Sequence, residues 1–552
     1  MFNADRLKLI LLCTTAAGCF AIAQPAAAQS TTQLQSIEAQ IKALQGQLGQ
    51  LKADLATRDH ALKAAQQQAK SAQEQAAAAS AQAATIAAAQ PVVVAQPPAP
   101  QMPPGQFKVG GLTVTLGGFA AVEGIYRSRN EAASIDTSFG GIPLRNSPNY
   151  HVPEYRETAQ QSRFSLLTEG QIDAAQKVTG YLETDFLSAG SSSNSTESNS
   201  YTLRMRQFWG NYDNTDLGLH VLGGQGWSLA TMYKVGLVPR QENVPLTIDA
   251  QYVVGFDWAR QPELRIVKDF ADQRVWAGLS LESPQTTFGS AGGPNCLTGA
   301  NASTATGGGT LEYAACGGSN VNSIQSYSDN YAPDIIAKIA ADPGYGHYEI
   351  YGLLRFLGGR VSYASTGTGK NYQTTGEGIG AGMILPLVPK MLDFQVSGLV
   401  GQGVGRYGSA QLADATFSPA GKIEPLAEFS VMGGLVGHPI PAVDLYAYGG
   451  GEGVAQKTYA GTAGYGNPAV SLAGCGVELG SCSAVTSSVV EGTIGGWWRP
   501  IRSAYGTVQV GAQYEYVDRK TFAGVGATKG STVSPAANEN MFLFSVRYLP
   551  FQ

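Results

Sequence analysis

Residues 508–516 read Val508-Gln509-Val510-Gly511-Ala512-Gln513-Tyr514-Glu515-Tyr516. Val508, Val510, Ala512, Tyr514 and Tyr516 alternate with Gln509, Gln513 and Glu515. A period of two places the sets on opposite faces of one strand. The pattern recurs along the chain. Tyr348, Ile350, Leu354 and Phe356 alternate with His347, Glu349, Tyr351 and Arg355. Leu392, Phe394 and Val396 alternate with Met391, Asp393, Gln395 and Ser397. Leu203, Met205 and Trp209 alternate with Arg204, Arg206 and Phe208. The runs are about nine to thirteen residues long, the span of a tilted strand crossing a bilayer, whereas soluble strands are about five or six. Only a closed sheet leaves no unpaired backbone in lipid. The chain therefore reads as all-β, a transmembrane antiparallel β-barrel with lipid outside and water inside.

Composition agrees. Of 552 residues, 69 are glycine, 25 tyrosine and 19 phenylalanine, and only 14% are charged. A soluble domain usually carries about 25% charged residues. No stretch after the first 30 residues has the roughly 18 uninterrupted apolar residues of a membrane helix. A net charge of −5 gives no support to nucleic-acid binding.

Seventeen candidate strands lie near 112–127, 160–170, 176–187, 201–212, 215–223, 250–258, 262–269, 272–282, 331–340, 346–358, 375–386, 390–404, 423–436, 440–454, 486–498, 502–517 and 540–551. Bacterial barrels have an even number, so 16 is favoured and 18 comes second. Tight turns are expected at 385–390, 437–441 and 498–501, and long polar loops at 130–158, 188–200, 283–330, 405–422, 455–485 and 518–539. Short turns should face the periplasm and long loops the outside.

The N-terminus differs. Arg6 and Lys8, an apolar run from Leu9 to Ile22 and Ala26-Ala27-Ala28 read as a signal peptide over 1–28. Lipidation at Cys19 is the rival, weakened by the missing aliphatic residue three positions before it. Over 29–90, Leu34, Ile37, Ile41, Leu44, Leu48, Leu51, Leu55 and Leu62 are spaced by three and four, and alanines continue the frame to Ile86. Such a stripe is one face of a coiled-coil helix, roughly 80 Å long. An exposed helix or a disordered stalk is the plainer alternative. The heptads allow two to four chains. Residues 91–106 carry six prolines and read as a stiff linker to a barrel over 107–552.

An exported chain meets an oxidising compartment. Cys296 with Cys316, and Cys475 with Cys482, each share one loop and invite a local disulfide; four free thiols is the alternative. The five histidines are scattered, so neither a metal site nor a cofactor is expected.

Several segments resemble trimeric proteobacterial outer-membrane porins, and the DcaP-like branch most. They are Gln161-Ser162-Arg163-Phe164 with Gly180-Tyr181-Leu182-Glu183-Thr184-Asp185-Phe186, Arg204-Met205-Arg206-Gln207-Phe208-Trp209-Gly210, Gly223-Gly224-Gln225-Gly226-Trp227-Ser228 and Arg260-Gln261-Pro262-Glu263-Leu264-Arg265. Phe542, Phe544, Val546 and Tyr548, ending in Leu549-Pro550-Phe551-Gln552, look like the aromatic terminal strand of outer-membrane proteins, with the phenylalanine displaced to the penultimate place. The resemblance is clearest over 107–282. It implies a homotrimer with its N-terminal helix in the periplasm, a loop after Trp227 that folds into the pore, and passive uptake of small hydrophilic solutes, often anions.

A charge on the lipid face costs about 2–4 kcal/mol at mid-depth, so strand charges should face water. Arg163, Arg204, Arg206, Arg260 and Arg265 are the expected lumen cations, and Glu123, Glu169, Glu183 and Asp185 the carboxylates opposing them. A basic ladder favours carboxylates or phosphates; each arginine could equally be a wall-stiffening ion pair. No catalytic constellation is found, so an enzyme is not expected. The rival function is a structural barrel tethered through its coiled coil.

Overall fold

The computed structural model describes residues 102–188, 201–289 and 326–551, short pieces within 190–199 and 303–316, and nine helical residues between Lys63 and Ala78. The chain divides into two compact units, 1–101 and 102–552. The signal peptide, the coiled-coil positions from Leu34 to Leu62 and Cys296 lie outside the described residues.

The second unit is a closed antiparallel barrel of sixteen strands. They are β1 (Leu112–Arg127), β2 in two segments (Glu154–Thr158 and Arg163–Gln171), β3 (Gln176–Asp185), β4 (Arg204–Asn214), β5 (Leu219–Trp227), β6 (Arg260–Phe270), β7 (Val275–Glu282) and β8 (Asp334–Ala341). The rest are β9 (His347–Tyr363), β10 (Thr368–Val388), β11 (Leu392–Gln402), β12 (Ala427–Ile440), β13 (Val443–Val454), β14 (Thr486–Ser503), β15 (Gly506–Thr521) and β16 (Ala536–Leu549). Each pairs with its sequence neighbours. The ring closes where Ala120–Arg127 of β1 pairs with Tyr548–Met541 of β16. A short strand, Gln106–Val109, folds back on Leu112–Thr115 at the foot of β1.

Closure leaves no sheet edge, so the faces alone sort by solvent. Ile350, Ile379, Val400, Phe429, Leu445, Ile494, Phe542 and Phe544 are exposed on the outer face. Glu349, Arg355, Glu452, Glu491, Glu515 and Ser545 are buried on the inner one. Connections alternate as expected: tight at 172–175, 215–218, 271–274, 342–346, 389–391, 441–442 and 504–505, and mostly long at the other end. One connection at the long-loop end, 364–367, is itself tight. There β9 and β10 continue as a protruding hairpin.

Three sequence expectations need correction. The candidate strand 250–258 is no strand; it belongs to the loop between β5 and β6, and its apolar Tyr252, Val253, Val254 and Phe256 pack inside the barrel. The turn expected at 498–501 lies within β14, as a register shift between Trp498 and Ile501, and the chain reverses at 504–505. Strict alternation groups Trp209 with Met205 and Phe208 with the arginines. The reverse holds: Phe208 is 59% exposed on the outer face and Trp209 is 3% exposed inside. A register shift opposite Glu183 and Thr184 puts Arg206 and Gln207 both inward and changes the phase.

In the outer loops, Cys475 and Cys482 form a disulfide. The segment it closes docks on the loop after β1, where Asn146 accepts from Leu479 N and donates to Gly480 O. A bridge this short constrains only its own loop, worth about 2–3 kcal/mol locally on chain-entropy grounds. Replacing both cysteines by serine should speed proteolytic nicking within 455–485 and leave the barrel's denaturation midpoint unchanged. A lower midpoint would mean that the loop supports the barrel itself.

Candidate pore and its constriction

A loop folded into a barrel carries backbone N–H groups that must find acceptors. Residues 228–259, between β5 and β6, find them on the inner wall. Leu229 N donates to Glu282, Tyr233 N to Glu349 and Gly236 N to Asp342, at 2.9–3.0 Å. Further on, Val254 N donates to Glu491 and Gly255 N to Glu452, at 2.7 and 2.8 Å. Asn243 Nδ2 reaches Gln395, and Trp497 Nε1 donates to Leu246 O. Wall and loop touch closely enough that a Cβ at Gly450 would overlap the Val254 carbonyl. Four wall carboxylates and Asp342 of the β8–β9 turn thus serve as acceptors for loop amides, and the loop crosses the lumen as a fixed partition.

One space that the loop leaves open is bounded by arginines. A cavity of ≈ 290 Å³ lies between loop residues 244–252 and a wall that includes Arg163, Glu183, Arg206, Trp497, Arg499 and Arg547. Arg206 Nη2 reaches Tyr252 Oη of the loop at 3.3 Å. Arg206 pairs with Glu183 at 2.6 Å and Asp185 at 2.9 Å, and Arg204 pairs with Asp185 at 2.8 Å. Arg163 lies 3.6 Å from Glu183, keeps a quarter of its side chain exposed, and has no hydrogen-bond partner for Nε. Arg260 rests on Trp227 and Trp258, 5.1 and 5.2 Å from their ring centres, without a carboxylate partner among the described residues. Arg547 joins Glu123 at 2.6 Å and covers Trp497 and Phe119.

Four expected arginines, Arg163, Arg204, Arg206 and Arg260, therefore gather with Glu123, Glu183 and Asp185. Two expected residues sit elsewhere. Arg265 is buried behind the loop, bound to Glu263, Tyr233 Oη and the Trp227 carbonyl, so it braces the loop base. Glu169 lies nearer the β2–β3 turn, 3.4 Å from Lys177. Arg547 and Arg499 were not anticipated. Arg547 alternates with outward Val546 and Tyr548, a signal that was available in the sequence. Among the described residues no cluster of histidine, cysteine and acidic groups could hold a metal.

The geometry has counterparts among solved structures. The outer membrane channel DcaP of Acinetobacter baumannii covers 80% of this chain and 99% of its own, with 18% identity and a TM-score of 0.52. The chain shares the fold of that channel. OmpT of Vibrio cholerae, solved in a trimer form, gives 11% identity and a TM-score of 0.41, with 80% of this chain and 99% of its own covered. An anion-selective porin from Comamonas acidovorans gives 10% and 0.41, with 79% and 99% covered. These two are too distant to add to the argument. No family model and no curated protein matches the chain.

Proposed function

We propose that the chain is an outer-membrane channel for passive diffusion of small hydrophilic solutes, and that it prefers anions, dicarboxylates among them. The observation that carries this is the charge balance at the constriction. Six guanidinium groups (Arg163, Arg204, Arg206, Arg260, Arg499 and Arg547) face five carboxylates (Glu123, Glu183, Asp185, Asp249 and Asp444). The excess is one positive charge in a narrow passage walled by protein, where charge acts more strongly than in open water. Arg163, a quarter exposed, and Arg260, half-buried and without a carboxylate partner among the described residues, are the cations a passing carboxylate would meet. We further propose that the molecule is a homotrimer, joined in the periplasm by the heptad helix from Leu34 to Leu62. Removing residues 29–106 and weighing the detergent-solubilised protein tests that.

Selectivity is read from the zero-current potential under a potassium chloride gradient. The expected sign is that of chloride preference. Arg163→Gln with Arg260→Gln removes two cations and leaves Glu183 still paired to Arg206, so the barrel should keep its fold and lose most of the preference. Potassium preference in the unmodified channel would overturn the reading.

A further inference from the structure

A second chamber lies on the wall opposite loop residues 238–241, with a volume of ≈ 410 Å³. Registers across β2, β3 and β4 arrange its wall in rows. Leu167, Tyr181 and Trp209 are mutual partners, and one inward step toward the turns Glu169, Thr179 and Asn211 are partners. The first row is apolar and aromatic. The second is made of oxygen acceptors. Thr179 Oγ1 and Asn211 Oδ1 are both buried and have no hydrogen-bond partner.

The loop adds one cation. Residues 233–242 form a small hairpin, with Tyr233 bridged to Glu242 and Lys234 N on Gln241 O at 2.7 Å. Gly236 N on Asp342 anchors the hairpin to the β8–β9 turn. Arg240 sits at φ 71°, a backbone region costly for a side chain other than glycine. This mount holds its guanidinium 5.1 Å from the Tyr181 ring centre. Arg240 makes no ion pair among the described residues, so its planar donor fork stays free for a carboxylate.

The chamber therefore offers a free guanidinium at one place, unsatisfied acceptors beside Glu169 at another, and the indoles of Trp209 and Trp276 between wall and loop. Lys177 and Glu169 offset each other. A simple anion would use only the first feature, and a neutral sugar would leave the guanidinium unused. We propose that this chamber is a binding subsite for a small amino-carboxylate zwitterion, with its carboxylate on Arg240, its ammonium on the Glu169–Thr179–Asn211 row and its apolar part against Trp209. It rests on the channel reading, since the chamber lies at the tight-turn end of the same lumen, beside Ala175, Thr215 and Gln273.

The test is the residence time of current blocks in single channels. The probes are phenylalanine, N-acetylphenylalanine, which lacks the ammonium, and phenylalanine amide, which lacks the carboxylate. Each lost charge-assisted contact should shorten the block by about tenfold. Arg240→Gln should shorten blocks by phenylalanine and N-acetylphenylalanine and leave those by the amide unchanged. Arg240→Lys, which keeps the charge and loses the fork, should fall between. Equal residence of phenylalanine and its N-acetyl form would overturn the zwitterion assignment, as would indifference to Arg240→Gln. Either result would leave the channel standing. Folded protein that passes no current at all would defeat the channel itself.

Discussion

Excising residues 230–257 and joining the ends with a short glycine–serine bridge should raise single-channel conductance roughly two- to fourfold, because the loop is what narrows a barrel of this strand number. The barrel should survive the change. Every strand keeps its two neighbours without the loop. Glu349, Glu452 and Glu491, now acceptors for loop amides, would turn to water rather than remain as buried unpaired charges. Selectivity should weaken with it, since Arg206 would lose Tyr252 and the arginines would face a wider lumen. Single-channel recording of both proteins checks this. Unchanged conductance would mean that another segment sets the resistance.

Replacing Arg355 by alanine should destabilise the folded barrel by about 3–5 kcal/mol, the usual cost of breaking a buried ion pair by removing one partner. Arg355 is fully buried. Its Nε meets Asp334 at 3.1 Å and its Nη1 meets Asp414 at 2.7 Å. It also donates to the carbonyls of Gly403 and Gln285, so one side chain links β9 to β8 and to the loops after β7 and β11. Alanine takes the buried cation from two carboxylates and a donor from two carbonyls, leaving Tyr407 on Asp334, Thr287 on Asp414 and Arg406 on the Gln285 carbonyl. Lysine keeps the charge but not the fork and should recover only part of the loss. The urea midpoint of folded protein in detergent, followed by gel mobility, measures both. A midpoint equal to the unmodified chain would show that water satisfies these groups.

How far the sequence carried the structure depended on what enforced each pattern. The strands were legible because lipid and water impose opposite demands on the two faces of every strand. Where that pressure lapses, reading by period fails. Tyr252, Val253, Val254 and Phe256 are apolar because they pack against Met432, Tyr446 and Val489 inside the barrel, and the period cannot separate that from a lipid face. Pro500 points to a turn, yet it occupies the unpaired stretch between Trp498 and Ile501, after which β14 pairs with β15 again to Ser503, so its missing N–H costs little. The phase of Phe208 and Trp209 was lost to a single bulge.

The site divides the same way. Arginines flanked by outward apolar residues declared their direction, and Arg163, Arg204, Arg206 and Arg260 do gather at the loop. The loop's course was hidden, because it is fixed by bonds such as Val254 N to Glu491, 237 residues apart, which leave no local periodicity. Arg240 was hidden too, since its role depends on a strained hairpin rather than on strand alternation.

The central claim is that the inner face of this barrel encloses a continuous path of water across the membrane. Reconstituting the refolded, unmodified chain in a planar lipid bilayer and recording current at constant voltage tests it most directly. Discrete, uniform conductance steps that scale with salt concentration are the predicted result; flat traces from protein whose barrel fold is verified in the same preparation would contradict it.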